Sequence, residues 1–466
     1  MIMFSKQTYT QRREVLRSKL SSGILLFLGN IENPMNFKDN PYPFRQDSCF
    51  LYYFGIQEPK LAAIIDLDQN TTTVFGDELS IDDIVWMGRQ ETLAEKSAKS
   101  GVDSTEPYQK LFEYISAAQT SGREIHYLPP YQSANKILLS ELLSVPLNAL
   151  NPSVSLIKAI VSQRSIKEPQ EVLEIEKAVN VSNDMHLLAM KMAKPGLKEF
   201  HLANAVQKLA ADHECRLSYP SIMTIHGEIL HNHYQNNTLK SGDLLLNDSG
   251  AETPMGYAGD LTRTFPVAKT FTNRQKEMYS IVLNAFEKAQ SILKPGVNYK
   301  QVHLTAAETL VEGLVELGLM KGNPKEAVAH HAHTLFFQCG VGHMMGLDVH
   351  DMEDLGEQYV GYTEGNPKDT KTFGLKSLRL GRALETGFVV TVEPGIYIIP
   401  ELIDMWKNEN KNSEFINYQK VEEYRDFGGI RIEDDFLITE DSYQLLGRGL
   451  VKTIEDVEEI RRQSLF

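Results

Sequence analysis

The chain has 466 residues, 42% of them hydrophobic, and its 47 basic and 62 acidic side chains give a formal net charge of −15 at pH 7. That length predicts two domains, and that composition predicts packed cores rather than a disordered chain. The acidic balance argues against a protein that binds nucleic-acid phosphates, because such proteins normally present a basic face.

Cysteine usage and the distribution of apolar residues narrow the class further. The three cysteines, Cys49, Cys215 and Cys339, lie far apart without CxxC spacing. This argues against a disulfide scaffold and against a structural zinc site. The first twenty residues lack the apolar core of a signal peptide, and no run of 18 apolar residues occurs. We therefore expect a cytoplasmic protein without a membrane span.

The N-terminal third alternates short apolar strands with polar helical stretches. GILLFLG (23–29) and LAAIIDLD (61–68) predict strands, and YQKLFEYISAAQ (108–119) predicts a helix. The region contains no convincing chemical motif. We predict an N-terminal α/β domain over residues 1–165, followed by a second domain over residues 166–466.

The second domain repeats an order of elements. An amphipathic helix that begins at Pro169 ends at the tripeptide KPG (194–196), and a second helical stretch ends at KPG (294–296). Each KPG precedes another helix, and each helix pair precedes an apolar strand, GDLLLNDSG (242–250) or GFVVTVEPG (387–395). In both strands a glycine is followed by five residues, an acid, one residue and a second glycine. The pattern predicts an internal structural repeat.

Two long polar segments interrupt the second half of this domain, at about 353–382 and 402–427. They contain glycine, asparagine, lysine and glutamate with little periodicity. We interpret both as surface loops that could form the walls of a cleft.

Several acids and one histidine lie beside apolar strands of the second domain. They are Asp248, Asp260, His343, Glu393 and Glu433. A buried carboxylate is costly unless a positive charge compensates it. One interpretation is structural: Arg263 and Arg431, which are close in sequence to Asp260 and Glu433, would form buried salt bridges that join the two halves.

The alternative interpretation is a metal site. Four carboxylates and one neutral imidazole carry a charge of −4, which two divalent cations balance. Oxygen-rich ligands with one nitrogen suit Mn²⁺, Co²⁺ or Zn²⁺. Carboxylates bridge two ions about 3.5–4 Å apart in two-metal hydrolases, where a bound water becomes the nucleophile near neutral pH. The residue set therefore also predicts a dinuclear hydrolase.

The other histidines carry different expectations. His343 is favoured as a ligand because glycines flank its motif and permit close approach, and His350, seven residues later, could act on a proton. His231 and His233 precede Asp248, and either could face the site. A structural role is expected for His330, His331 and His333.

Six ordered motifs together resemble the creatinase/methionine aminopeptidase superfamily, the pita-bread metallopeptidases. They are ILHNHY, DSGAE, GYAGDLTRTFPV, GHMMGLDVHD, TVEPGIY and GGIRIEDD. PFRQDSCFLYYFGIQEP (43–59) is similar to the N-terminal domain of these enzymes. The resemblance covers nearly the whole chain and is closest to the Xaa-Pro aminopeptidases (aminopeptidase P), with the Xaa-Pro dipeptidases (prolidases) near them. It implies an α+β fold: an N-terminal α/β domain and a C-terminal pita-bread domain with a pseudo-two-fold internal repeat.

The resemblance also implies a ligand set. Asp260 and Glu433 would bridge two divalent metal ions, Asp248 would chelate one of them, and His343 with Glu393 would complete the other. Manganese is the usual metal in such aminopeptidases, and Co²⁺ or Zn²⁺ are the alternatives.

Roles in catalysis are implied in the same way. Glu393 would shuttle a proton from the attacking water. His231 and His350 would stabilise the tetrahedral intermediate and assist the leaving proline nitrogen. The residues implied in substrate binding are His233, Arg379 and Arg431, with Arg379 matching the arginine that holds the substrate carboxylate in dipeptidases.

Two departures from the family pattern stand out. Cys339 occupies a position, four residues before the ligand histidine, where the family commonly has histidine. Asp248 and Asp260 are 12 residues apart, where the family usually has 11. The first departure affects the substrate side of the expected site, and the second indicates a one-residue insertion in a loop.

The expected function is removal of the N-terminal residue from peptides with proline at the second position. Two alternatives remain: an Xaa-Pro dipeptidase with the same metals, and a non-catalytic pita-bread module that only binds a partner. We expect peptide substrates rather than nucleic acid or membrane, and a homo-oligomer, dimer or tetramer, as is frequent in the family.

Overall fold

The computed structural model describes residues 3–463, and their backbone forms two compact units. Unit 1 contains the described residues up to Arg164 together with 352–359, and unit 2 contains Ser165–Asp351 and the described residues from Val360 onward. Helices and sheets occur in both, which confirms the α+β prediction. The domain boundary between residues 165 and 166 stays a prediction.

Unit 1 is built on one five-stranded sheet. Its strands are β1 (Ile24–Leu28), β2 (Ala62–Asp66), β3 (Thr71–Phe75), β4 (Ser104–Glu106) and β5 (Ile125–Tyr127). They lie in the order β4-β3-β2-β1-β5. The pairs β1–β2 and β2–β3 are antiparallel, and the outer pairs β1–β5 and β3–β4 are parallel.

The helices of unit 1 surround this sheet and confirm its α/β character. They are α1 (Lys6–Arg17), α2 (Ser48–Phe54), α3 (Ile81–Met87), α4 (Leu93–Lys99), α5 (Lys110–Thr120), α6 (Ser133–Leu143) and α7 (Val154–Arg164), with a 3₁₀ helix at Leu147–Ala149. The two predicted strands are β1 and β2, and the predicted helix is α5. Apolar side chains of β1, β2, α5 and α6 form one core cluster, as expected for an apolar sheet face covered by helices.

Unit 2 contains most of the remaining elements. Its helices are α8 (Pro169–Met192), α9 (Glu199–Asp212), α10 (Asn273–Ser291), α11 (Tyr299–Glu316), α12 (Pro324–Ala329), α14 (Pro400–Asn408), α15 (Tyr418–Glu422) and α16 (Ile454–Arg462). A short helix between α12 and α14, α13 (Glu357–Val360), begins in unit 1. Its strands are β6 (Arg216–Leu217), β7 (Ile222–Thr224), β8 (Leu244–Asp248), β9 (Ala251–Glu252), β10 (Thr262–Pro266), β11 (Val389–Val392), β12 (Gly395–Tyr397), β13 (Gly429–Arg431), β14 (Asp434–Ile438) and β15 (Tyr443–Leu445). Further 3₁₀ helices are Ala332–Leu335, Glu353–Leu355 and Leu375–Ser377.

The predicted internal repeat is present in the backbone of unit 2. After the first KPG, the Gly196 N–H donates to the Leu239 carbonyl at 2.9 Å. After the second KPG, the Gly296 N–H donates to the Leu384 carbonyl at 2.8 Å. Both glycines have positive φ, 90° and 84°, a conformation that glycine adopts without strain. In each half the same turn therefore joins the two helices of the pair and hydrogen-bonds to the segment just before the acidic strand.

The sheets of unit 2 bring the strand ends of both halves together. In the first half β8 pairs with β7 and β10, and in the second half β11 pairs with β14, which also pairs with β15. Asp248 is the last residue of β8, and Glu393 directly follows β11. A β-bridge joins Thr262 to Glu433, so strands from the two halves meet where the acids lie.

One of the two segments predicted to be surface loops is helical instead, so that prediction is wrong. The segment 402–427 contains α15 and most of α14. Ile403 and Trp406 lie on one face of α14 and are buried, which is the i, i+3 spacing of an amphipathic helix. The segment 353–382 has only short helical turns, in line with a surface loop. Among residues 3–463, no helix has both the length and the apolar character needed to cross a membrane.

Candidate metal centre

A cavity of about 540 Å³ lies in unit 2 at the ends of the acidic strands. Its lining includes every side chain that the sequence assigned to the site: His231, His233, Asp248, Asp260, His343, His350, Arg379, Glu393, Arg431 and Glu433. Residues about two hundred positions apart in the chain thus face one cavity. The fold brings all of the predicted site residues together.

Three of the predicted ligands form a compact cluster. Asp260, His343 and Glu433 each offer a ligand atom within 4.8 Å of the others. These side chains are almost fully buried, and so is Asp248, whereas Glu393 is half-buried. Five donors of the kind that divalent metals prefer therefore line the buried end of the cavity.

The segment that carries His343 runs beside β11. Met344 forms a β-bridge with Val390, and the Thr391 N–H donates to the His343 carbonyl at 3.0 Å. Gly342 permits this approach, because a Cβ there would lie 2.4 Å from the Thr391 carbonyl oxygen. The glycine before His343 is thus required by packing, as the sequence predicted.

The imidazole of His343 is oriented toward the carboxylates. Its Nδ1 lies 3.0 Å from the Met344 carbonyl oxygen, so Nδ1 carries the proton and donates it there. Its Nε2 lies 3.4 Å from Asp260 Oδ2 and 3.5 Å from Glu393 Oε1. A histidine whose other nitrogen donates to a backbone carbonyl is the usual arrangement of a metal ligand.

Tyr219 is a functional neighbour that the sequence did not single out. Its hydroxyl lies 2.6 Å from Asp248 Oδ1 and 2.5 Å from Asp260 Oδ1. It has one proton to donate, so it satisfies one aspartate at a time. Tyr219 lies between β6 and β7, outside any acidic motif, and no local signal in the sequence marks it.

The two arginines do not pair with their sequence neighbours. Arg431 forms a buried ion pair with Asp248 rather than Glu433, and Arg263 pairs with Asp434 at 2.6 Å rather than Asp260. The partners lie on strands of the other half, Asp248 on β8 and Asp434 on β14. Each arginine therefore forms a buried ion pair between the two halves, as the structural interpretation expected.

The charges of the site fit bound cations. Glu433 Oε2 accepts a hydrogen bond from Thr262 at 2.6 Å, but its buried Oε1 has no partner among the described residues. Burial and the charge of Asp260 hold the pKa of Glu433 well above its usual range. A buried carboxylate oxygen without a donor, next to a properly oriented imidazole, is what a divalent cation would complete.

Burial and neighbouring charges also shift the pKa values of two other carboxylates of the site. Burial raises the pKa of Glu393 to about 7. Burial also acts to raise the pKa of Asp260, but the hydrogen bond and charge of His343 outweigh it, and that pKa is lowered. Within the protein, His343 is thus the main positive neighbour of Asp260. One imidazole cannot neutralise the whole cluster.

Histidines also line the wall of the cavity. The His350 ring centroid lies 4.4 Å from that of His343, with the rings nearly perpendicular. His231 and His233 are exposed on the opposite loop. Burial and the charge of Arg431 lower the pKa of His231, so its imidazole is neutral at physiological pH. Both loop histidines line the cavity, and the choice between them stays open.

The remaining histidines of the HHAH segment do not line this cavity. His333 is buried beside His303 of α11, with ring centroids 6.2 Å apart. None of the four ring nitrogens of this pair has a hydrogen-bond partner among the described residues. His330 is exposed and packs on Phe415. The expectation of a structural role agrees with these positions.

Cys339 lies in the cavity wall, where the family commonly has histidine. Its Sγ is 3.9 Å from the Tyr397 hydroxyl, and that hydroxyl accepts from Arg431 Nη1 at 2.9 Å. Burial raises the pKa of the Cys339 thiol to about 12. The side chain is therefore a neutral thiol, connected to Asp248 through Tyr397 and Arg431.

Comparison with known families decides the assignment of the fold. The family model described as metallopeptidase family M24 matches residues 174–440, and the aminopeptidase P N-terminal domain model matches residues 9–126. The chain belongs to metallopeptidase family M24. Its C-terminal domain is therefore a pita-bread metallopeptidase domain, as the resemblance implied.

Relatives match this M24 chain from end to end. The Xaa-Pro aminopeptidase of Escherichia coli (strain K12) is 31% identical over 97% of each chain. The Xaa-Pro dipeptidase of Homo sapiens is 29% identical, over 94% of this chain and 85% of that one. The structure of E. coli aminopeptidase P with the inhibitor Pro-Leu superposes with a TM-score of 0.80 at 30% identity, covering 99% of both chains. Proline aminopeptidase P II from Yersinia pestis gives a TM-score of 0.80 at 29% identity, covering 98% of this chain and 100% of that one.

Proposed function

We propose that the chain is a metal-dependent Xaa-Pro aminopeptidase, which hydrolyses the peptide bond before a proline at the second position. The observation that carries this proposal is the single cavity that gathers four carboxylates and an oriented imidazole. Family M24 membership and the full-length similarity to an Xaa-Pro aminopeptidase support it.

Two divalent ions would be held by five side chains. Asp260 and Glu433 would be shared between the ions, Asp248 would hold one, and His343 with Glu393 the other. Manganese is the proposed metal, with Co²⁺ and Zn²⁺ as alternatives, and one solved structure is described as Zn-substituted E. coli aminopeptidase P in complex with product. When bound, such ions polarise the scissile carbonyl and promote ionisation of water.

The chain's own groups would handle the protons. Glu393 is half-buried and faces the cavity, so it can accept a proton from an attacking water and pass it to the departing nitrogen. His350 lies beside His343, and His231 also lines the cavity. These two imidazoles are placed to donate hydrogen bonds to the developing oxyanion and to the proline nitrogen.

Side chains of the outer cavity lining would position the substrate. Arg379 is half-buried in the cavity lining and would grip a carbonyl or carboxylate of the peptide. His233 faces the same space, and Arg431 holds Asp248 in place. A cytoplasmic location and a homo-oligomeric state remain predictions from sequence and family.

A second candidate is an Xaa-Pro dipeptidase. The position of Arg379 favours it, because an arginine in the cavity wall could bind the free carboxylate of a dipeptide. The similarity to the human Xaa-Pro dipeptidase is consistent with this. Substrate length separates the two activities: the aminopeptidase cleaves Ala-Pro-Ala well, whereas the dipeptidase prefers Ala-Pro.

The experiment starts from protein stripped of metal by a chelator and titrated with Mn²⁺, Co²⁺ or Zn²⁺. Hydrolysis of Ala-Pro-Ala, Ala-Pro and Ala-Ala-Ala is followed by mass spectrometry, and metal content is measured in parallel. We expect metal-dependent release of alanine from Ala-Pro-Ala alone or most rapidly. Preferred cleavage of Ala-Pro would assign the dipeptidase.

A variant ties this activity to the site. Glu393→Gln removes the proposed proton carrier and should abolish turnover, while Glu440→Gln, at an exposed position after β14, should not. Undiminished turnover by Glu393→Gln contradicts the proposal. Protein that neither retains metal nor cleaves any peptide would instead be the non-catalytic binding module.

A further inference from the structure

A segment at the cavity has a charge opposite to that of the chain as a whole. Residues 366–382 contain five basic side chains and a single acid, whereas the chain carries 47 basic against 62 acidic residues. The basic residues are Lys368, Lys371, Lys376, Arg379 and Arg382. We call residues 366–382 the basic segment. A local excess of positive charge in an acidic protein indicates an electrostatic role at this place.

The basic segment forms part of the cavity wall. Ser377 and Arg379 line the cavity. The Ser377 hydroxyl donates to the carbonyl of Gln338 at 3.1 Å, and Gln338 lines the cavity too. A Cβ on Gly340 would lie 2.9 Å from Leu378 Cα, so the two chain segments are in close contact. Lys376 is thus adjacent in sequence to a lining residue.

Local hydrogen bonds hold the lysines on one compact turn. The Asp369 carboxylate accepts from the backbone N–H of Lys371 at 2.9 Å and of Thr372 at 2.8 Å. The Lys376 N–H donates to the Thr372 carbonyl at 2.9 Å. The only acid of the segment therefore serves the backbone, and it fixes the turn that carries Lys371 and Lys376.

The amines of Lys371 and Lys376 are available to a ligand. Both side chains are exposed, and within residues 3–463 neither amine forms an ion pair or a hydrogen bond. The Lys376 amine lies 6.0 Å from the ring centroid of Phe373. Arg382, by contrast, is paired with Glu385. Two uncompensated positive charges therefore project into solvent from this segment.

The carboxylates of the cavity lie at its buried end, where Arg431 pairs with Asp248. Among the described lining residues, the carboxylates are those of the metal centre, at the buried end. The outer lining offers the half-buried Arg379 and several histidines. A peptide whose N-terminal residue sits at the metal centre must leave past this wall. Residues that follow its proline then pass Arg379, which is three residues from Lys376 in the chain.

We infer that the basic segment binds acidic residues downstream of the proline, so that the preferred substrates are Xaa-Pro peptides with Asp or Glu after the proline. This inference rests on the proposed function. Exposed ion pairs contribute little individually, at most about 1 kcal/mol each, so the preference should be moderate. It should also weaken with salt, because exposed charges are screened.

The test uses three peptides that differ only downstream. Ala-Pro-Asp-Asp, Ala-Pro-Ser-Ser and Ala-Pro-Lys-Lys, each amidated at the C-terminus, are compared by kcat/KM in the metal-loaded enzyme. Amidation removes the terminal carboxylate, which Arg379 could otherwise bind. We expect the acidic peptide to exceed the neutral one by about fivefold at about 20 mM salt, and by less than about twofold at about 500 mM.

Two double variants locate the effect. Lys371→Gln/Lys376→Gln should bring the acidic-to-neutral ratio close to one, mainly through KM. The matched control is Lys191→Gln/Lys288→Gln, which removes two exposed charges from α8 and α10, outside the cavity lining, and should leave that ratio as in the wild type.

Each outcome decides one of the two proposals. If Ala-Pro-Ser-Ser is not cleaved at all, the proposed function fails. If it is cleaved but the acidic peptide has no advantage, or the basic peptide is preferred, the role of the basic segment is wrong and the function stands. An equal loss of preference in both double variants would also overturn the inference, because net charge alone would then explain it.

Discussion

In the first half of unit 2 Asp248 is held by Arg431 and Tyr219, whereas in the second half one oxygen of Glu433 has no partner among the described residues. The two halves have the same turn after KPG and the same strand that ends in an acid. The backbone repeat therefore concentrates the acids at one place, but the protein supplies a counter-charge mainly for one of them. The remaining negative charge is what bound cations would balance.

The halves also differ in their buried histidines. In α8, His186 accepts from Asn247 and contacts the Ser249 carbonyl, and one hundred residues later α10 has Phe286. In α11, His303 is buried without a hydrogen-bond partner among the described residues, and one hundred residues earlier α9 has Ala203. The two halves thus bury different histidines on the same backbone. The buried imidazole of the first half is hydrogen-bonded, and that of the second half has no partner among the described residues.

The largest expected effect is a loss of enzyme activity when an acid from either half is neutralised. Asp248→Asn and Glu433→Gln should each lower kcat/KM for Ala-Pro-Ala by on the order of 10³-fold or more, because each removes a charged, proposed metal ligand. Steady-state kinetics and metal content by mass spectrometry check this. Glu440→Gln is the control. Near-normal activity of either variant would show that its half is not needed for the metal centre.

The sequence anticipated this centre because its acids stand beside apolar strands, and a buried acid needs a partner. The five proposed ligand positions and Gly342 follow from patterns within about twelve residues, and the repeat follows from the order of elements around the two KPG tripeptides. Tyr219 and the true partners of Arg431 and Arg263 did not follow. They depend on which strands become neighbours, and strand pairing over long sequence distances leaves no local signal.

Helix α14 shows a second limit of the sequence. Its apolar residues Leu402, Ile403, Met405 and Trp406 fall within five positions, and the polar run KNENKNSE (407–414) follows them. The polar majority therefore predicted a loop. Packing of only two side chains decides the helix, because tertiary contacts override weak local preference.

The second prediction concerns stability without metal. A substitution in the first half should lower the free energy of unfolding, and one in the second half should raise it. Asp248→Asn leaves the buried Arg431 guanidinium without its ion-pair partner and should lower the free energy of unfolding by about 3 kcal/mol. Glu433→Gln removes a carboxylate that burial and Asp260 disfavour and should raise it by about 1 kcal/mol. Chemical denaturation in excess chelator measures both. A shift of the same sign in both variants would contradict the difference between the halves.

The third prediction uses the histidine that only the second half buries without a partner. Burial lowers the pKa of His303 to about 4, below its unfolded value near 6.5. Between these values the unfolded chain binds more protons than the folded one, so stability falls as pH decreases. By linkage, His303 should account for about 2 kcal/mol of the loss between pH 7.5 and 5.0.

Denaturation of the His303→Leu variant at these two pH values provides the measurement. The variant should lose about 2 kcal/mol less than the wild type on acidification. His213→Gln, at an exposed position in the first half, should lose as much as the wild type. An unchanged loss in His303→Leu would mean that this histidine is protonated, or hydrated, in the folded protein.

The smallest expected effect concerns the cavity wall, where His231 and His233 of the first half and His350 of the second contribute imidazoles and Cys339 contributes a thiol. Cys339→His should leave metal content unchanged, because its side chain reaches Asp248 only through Tyr397 and Arg431. We expect kcat/KM for Ala-Pro-Ala to change by less than about tenfold, or about 1.4 kcal/mol. The new imidazole should add an ionisation near pH 6–7 to the pH profile, since the neutral thiol contributes none there. A loss of metal, or a fall as large as that of Glu433→Gln, would place Cys339 within the metal centre rather than on the substrate side of the cavity.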